Sequence, residues 1–127
     1  MSTSPRFSGS ASTDNTDRRV KNGFQNPAYA ASIAVTIAET DANTLVQVAQ
    51  LTGALTLTIG VGAADTPPYV GDKVRFLFQT DGTQRIVTFG TGFVSSGTLT
   101  VPASKYASVE AVFNGAKWQV VSREITA

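Results

Sequence analysis

Three carboxylates, Asp65, Asp72 and Asp81, sit close enough along the chain to raise the question of acid–base or metal chemistry. Glycoside hydrolysis needs two facing carboxyl groups, one of them held protonated. Calcium needs six or more oxygen ligands, usually several from one loop. None of the three has a second acid within four positions. Two of them also have simpler roles, Asp81 in a turn and Asp72 at the start of a strand. The chain contains no His and no Cys. That removes the usual general base, the Ser-His-Asp and Cys-His arrangements, the commonest zinc ligands and any disulfide framework. The sequence therefore predicts a protein that is not an enzyme and carries no metal or cofactor.

Binding chemistry is better represented. Flat rings stack on pyranose faces, and Tyr69, Phe93, Tyr106 and Trp118 supply such rings. Trp118 falls on the apolar side of its run and reads as core, whereas Tyr69 and Phe93 fall in loops and are the candidate glycan-binding residues. Arg18-Arg19-Val20-Lys21 is the one basic cluster, offset by Asp14 and Asp17, and is suited either to pairing with acids on a protein partner or to keeping the arm soluble. A net charge of +1 is too near neutral for a nucleic-acid footprint. Gly60-Val61-Gly62 and Gly90-Thr91-Gly92 do not precede a helical pattern, so loop geometry explains them better than a phosphate cradle.

The elements that hold these residues are strands. At 127 residues the chain is one domain with room for a tail. Only 15% of it is charged, against a usual quarter, so much of the surface must be Ser, Thr, Gly, Gln and Asn, as in extracellular and assembled proteins. Residues 1–30 keep no helical or strand period and read as an extended N-terminal arm. Burying its Phe7, Phe24 and Tyr29 contributes about 1.5–3 kcal/mol each. Fixing a backbone costs about 1–2 kcal/mol per residue, so such an arm needs a partner surface to become ordered.

Residues 31–127 carry short alternating runs. They begin with Ile33, Val35 and Ile37, continue through Thr44–Gln50 and Leu55–Ile59, and end with the run containing Trp118 and Val120. The most pronounced are Asp72–Gln79, with Val74, Phe76 and Phe78 on one face, and Gln84–Phe89. Gly82 in the link between them predicts an antiparallel hairpin, and Asn114-Gly115 predicts another. Pro67-Pro68 marks a crossing between sheets or along an edge. About eight strands and no amphipathic helix predict an all-β fold, an antiparallel sandwich, jelly roll or small barrel. No apolar run reaches the length of a membrane-spanning helix, so no membrane partner is expected. Met1–Val20 has no apolar centre of a secretion signal, which leaves lysis as the expected route to the outside.

At Gly71–Phe93 (GDKVRFLFQTDGTQRIVTFGTGF) and Ala107–Arg123 (ASVEAVFNGAKWQVVSR) the chain resembles small β-rich virion proteins of tailed bacteriophages, the capsid decoration (cement) or head-fibre proteins and related fibre modules. The likeness covers residues 43–123 and lies in strand-and-turn phrasing. It implies a place on the capsid surface of the virion, the major capsid protein as partner, frequent assembly as a homotrimer, and an extended terminus laid across capsid subunits. On that expectation Phe7, Arg18, Arg19, Lys21, Phe24 and Tyr29 of the arm are the partner-binding residues. The alternative expectation is a receptor- or glycan-binding module of a head or tail fibre, using Tyr69 and Phe93.

Overall fold

Successive side chains of a strand point to opposite faces, so the alternating runs have one apolar face each to bury. A computed structural model describes residues 21–63, 65–94 and 97–126. They form β1 (Lys21–Gln25), β2 (Ser32–Val35), β3 (Asp41–Gln47), β4 (Leu55–Ile59), β5 (Lys73–Gln79), β6 (Arg85–Phe89), β7 (Thr98–Val101), β8 (Tyr106–Phe113) and β9 (Trp118–Thr126). No helix occurs among the described residues. In β2 to β8 one face of each alternation is buried, as with Leu55, Leu57 and Ile59 in β4 or Val74, Phe76 and Phe78 in β5. Strands β2, β4, β5, β6 and β9 fall on the runs named above, β7 and β8 show the same alternation further along, β3 starts three residues ahead of the Thr44–Gln50 run, and β1 falls inside the expected arm.

One sheet has the order β1-β3-β5-β8-β9 and the other β2-β4-β6-β7. Through β6, each strand enters the sheet opposite to its predecessor. The chain thus winds three rungs, β1 with β2, β3 with β4 and β5 with β6. Within each sheet these strands pair in parallel. Strands β7, β8 and β9 then add antiparallel. Both sheets are mixed, which corrects the antiparallel expectation, and neither closes into a barrel.

The correction is sharpest at residues 80–84. Strand β5 pairs with β3 and β8, and β6 pairs with β4 and β7, so the two do not form a hairpin. Gly82 is not among the glycines with positive φ. Thr80 is instead buried, its hydroxyl donating to the Pro102 carbonyl at 2.6 Å and accepting from the Lys105 N–H at 3.1 Å. Asp81 then turns the chain, its Oδ1 accepting from the Thr83 N–H at 3.2 Å. Alternation is equally satisfied by a hairpin in one sheet or by two strands facing each other across a core, and the Thr80 anchor selects the second. The Asn114-Gly115 hairpin does form: Gly115 has φ 103°, and Asn114 Oδ1 accepts from the Ala116 and Lys117 N–H groups at 3.0 and 2.9 Å.

The buried faces of the two sheets share one core. Phe93, from the link between β6 and β7, stands edge-on to Phe76 of one sheet and Phe89 of the other, with ring centroids 5.9 and 5.1 Å apart. Trp118 is fully buried beside Phe113 and donates its indole N–H to the Gly60 carbonyl at 3.0 Å. Gly92 has φ 98°, and a Cβ there would run into the Ile59 carbonyl oxygen, so this position requires glycine.

The links gather at two ends. Residues 26–31, 48–54, 80–84 and 102–105 meet at one, joined by bonds such as Leu51 N–H to Gln79 O at 2.8 Å and Thr80 N–H to Lys105 O at 3.1 Å. Residues 36–40, 60–63, 65–72, 90–94 and 114–117 lie at the other, where Gly71 N–H donates to Phe113 O and Val94 N–H to Trp118 O, both at 2.9 Å.

Candidate functional site

The expected partner-binding residues divide. Phe7, Arg18 and Arg19 lie outside the described residues. Lys21 begins β1, whose five residues pair with β3, so residues 21–25 of the expected arm run as part of the five-stranded sheet. Tyr29 is half-buried against the core and donates its hydroxyl to the Ala54 carbonyl at 2.7 Å. It braces the fold and does not point out as an anchor.

Phe24 behaves otherwise. Among the described strands β1 is the edge of its sheet, and Phe24 is 61% exposed on the outer face. It begins a cross-strand row that continues through Leu45, Arg75 and Glu110. These residues, with Asn43 and Lys73, line an open groove of about 490 Å³. Arg75 and Glu110 approach to 3.5 Å with Arg75 mostly exposed, an ion pair of little energetic weight. The groove therefore presents an apolar strip of Phe24 and Leu45 against a weakly paired charge couple, on the edge strand of the described part of the sheet.

The carboxylates do not converge. Asp72 is buried, and its Oδ2 accepts from the Tyr69 N–H at 3.0 Å, closing the turn that starts β5. Asp81 accepts from Arg85 Nε at 3.1 Å and from Nη2 at 2.8 Å. The hydrogen bond from Arg85 holds its carboxyl below the usual carboxylate range. Asp72 lies just before the seven-residue β5 and Asp81 two residues past its end, so the strand alone, at about 3.3 Å per residue, holds them more than about 20 Å apart. Two catalytic carboxyls need about 5–10 Å, so these two cannot face one substrate. Asp65 is exposed in the link between β4 and β5.

The expected glycan-binding pair is also separated in role. Phe93 is 4% exposed and belongs to the core, because the link that carries it folds back between the sheets. Tyr69 stays at the surface, 37% exposed, beside Val61, Pro68 and the 75% exposed Val70 in a groove of about 390 Å³. Tyr106, one of the four rings that the sequence offers, is 55% exposed, on the opposite face of β8 from the buried Ala107 and Val109. The signal was its phase, one position away from the apolar face. Its surroundings at the 80–84 end are polar, with Gln50, Gln79 and Lys105 nearby in a groove of about 270 Å³. No protein-family model matches the chain, and no curated protein matches its sequence.

Proposed function

We propose that the chain is a capsid decoration (cement) protein that binds the outer surface of a phage head and holds neighbouring coat subunits together. Its fold is read as a β-sandwich whose first three rungs coil in parallel. The observation that carries the reading is the groove at β1, the edge strand among the described residues, where exposed Phe24 and half-buried Leu45 form an apolar strip. An extended coat-protein segment laid along β1 gains backbone hydrogen bonds from the edge and specificity from side-chain pockets.

Such binding supports a shell by mass action, since a ligand of the assembled state shifts the balance away from the opened one. Three copies around a symmetry axis raise the effective concentration of each weak contact. Arg18 and Arg19 stand just ahead of β1 in the sequence.

The test is co-sedimentation with empty phage shells. Wild-type protein is expected in the shell pellet. A chain lacking residues 1–20 and the Phe24→Gln variant should both stay in the supernatant while keeping the wild-type thermal midpoint. Pelleting of both variants at wild-type levels would remove the basis for this assignment.

A further inference from the structure

Tyr106 occupies the position on the outer face of the five-stranded sheet where two shallow grooves meet. In the register of the sheet it lies opposite Gln79 on one side and Thr126 on the other. One groove, of about 270 Å³, runs toward the links and is bounded by Gln50, Asp81 and Lys105. The second, of about 170 Å³, runs over the sheet face past Gln47 and Ser108. Tyr106 and Gln79 line both.

We propose that this joined groove binds a neutral oligosaccharide, with one pyranose stacked on the Tyr106 ring and its neighbours in the grooves on either side. A sugar ring has an apolar C–H face and a rim of hydroxyls that both donate and accept. An exposed aromatic ring answers the face, and amide side chains, which also donate and accept, answer the rim. Gln47, Gln50 and Gln79 supply three such amides around one tyrosine. Gln50 donates Nε2 to the Thr80 carbonyl at 3.3 Å, which orients its amide and leaves its oxygen to accept.

Two side chains of opposite charge line the groove. Asp81 is already engaged by two nitrogens of Arg85, and Lys105 adds a cation, so sialylated glycans are the competing ligand the test must separate from neutral ones. The floor is fixed in advance. Thr80 ties the 80–84 and 102–105 links together through its hydroxyl. Ser104 is held at φ 58°, a conformation few non-glycine residues adopt, with its N–H donating to the Asp81 carbonyl at 2.7 Å. A groove that needs no ordering on binding keeps more of its contact energy as affinity. The Tyr69 groove at the opposite end, walled by Val61, Pro68 and Val70, lacks comparable amides.

This site does not depend on the decoration role. The test applies the full chain to a glycan array carrying neutral oligosaccharides of three to six hexose or N-acetylhexosamine units together with sialylated ones. Calorimetry then follows with the tightest neutral glycan. Neutral glycans should be retained. Tyr106→Ala should weaken the calorimetric affinity by about tenfold or more, Tyr106→Phe should keep most of it, and Tyr69→Ala should leave it unchanged. Thermal midpoints of the variants show that each is folded. The proposal falls if no neutral glycan is retained, if only sialylated ones are, if Tyr106→Ala binds as wild type, or if Tyr69→Ala abolishes binding.

Discussion

Thr44 and Thr80 are both buried, with opposite hydrogen-bonding outcomes. The Thr44 hydroxyl has no partner among the described residues, whereas that of Thr80 bonds to Pro102 and Lys105. Replacing an unpaired buried hydroxyl by a methyl of the same shape removes a desolvation cost, so Thr44→Val should raise stability by about 1 kcal/mol. The same change at Thr80 leaves a carbonyl and an N–H unpaired and should lower it by about 1–3 kcal/mol. Urea unfolding with an unchanged slope separates the two outcomes.

Asp81 makes a prediction about pH at the same scale. The hydrogen bond from Arg85 lowers its carboxyl below the ordinary value, outweighing the opposing effect of burial. A carboxyl whose folded value lies below its unfolded one stabilises the fold above the unfolded value. That contribution is lost as pH falls through the folded value. The stability difference between wild type and Asp81→Asn should therefore be present at neutral pH and close on acidification. A series of urea titrations from neutral to acid pH reads it directly.

At the scale of elements, β9 shows why face assignment from alternation alone has a limit. Strand β9 shifts register against β8 between Glu110 and Ala111, so that Glu110 pairs with Ser122 while Ala111 pairs with Val120. The extra residue reverses the parity of the strand beyond it. Arg123, which alternation from Trp118 sends outward, is thereby paired with the buried Val109. Its guanidinium donates to the Thr98 carbonyl at 2.9 Å and lies 5.3 Å from the centre of the Phe89 ring, bridging the two sheets at their edge. Arg123→Ala should cost about 0.5–1 kcal/mol through the lost cation–π contact, measurable as a lower unfolding midpoint.

Strand β1 was hidden for a different reason. Lys21-Asn22-Gly23-Phe24-Gln25 has one large apolar residue, and that residue faces outward. No apolar face announces the strand, which exists because β3 offers an edge to it. The Tyr106 groove was illegible on similar grounds, since Gln50, Gln79 and Tyr106 meet only through the pairing of β5 with β8 and the folding of the links.

At the scale of the whole molecule, strand positions and the inward residues of β2 to β8 could be read from period two, because burial enforces it locally. Sheet membership could not, because it is decided by contacts between distant rungs. The place of β1 also fixes how the N-terminal region can be cut. Removing residues 1–20 leaves every described strand intact. Removing residues 1–30 takes away β1 and the Tyr29 contacts and bares the edge of β3. The shorter deletion should keep the wild-type thermal midpoint. The longer one should lower it by about 5 °C or more and promote association through the bared edge. Calorimetry and light scattering on the two chains distinguish these outcomes.

The sheet-to-sheet winding also bears on how the chain is made. Phe24 waits for Leu45, Asn43 for Lys73 and Leu55 for Val87, so early strands find hydrogen-bonded neighbours only after roughly twenty to thirty further residues have been synthesised. Adjacent-strand pairs arise only late, between β6 and β7 and between β8 and β9. A nascent chain leaving the ribosome therefore keeps each rung unpaired until the next one emerges, and the edges of β5 and β6 open until β8 and β7 dock beside them. During that interval self-association competes with folding, and slower translation lengthens the exposure.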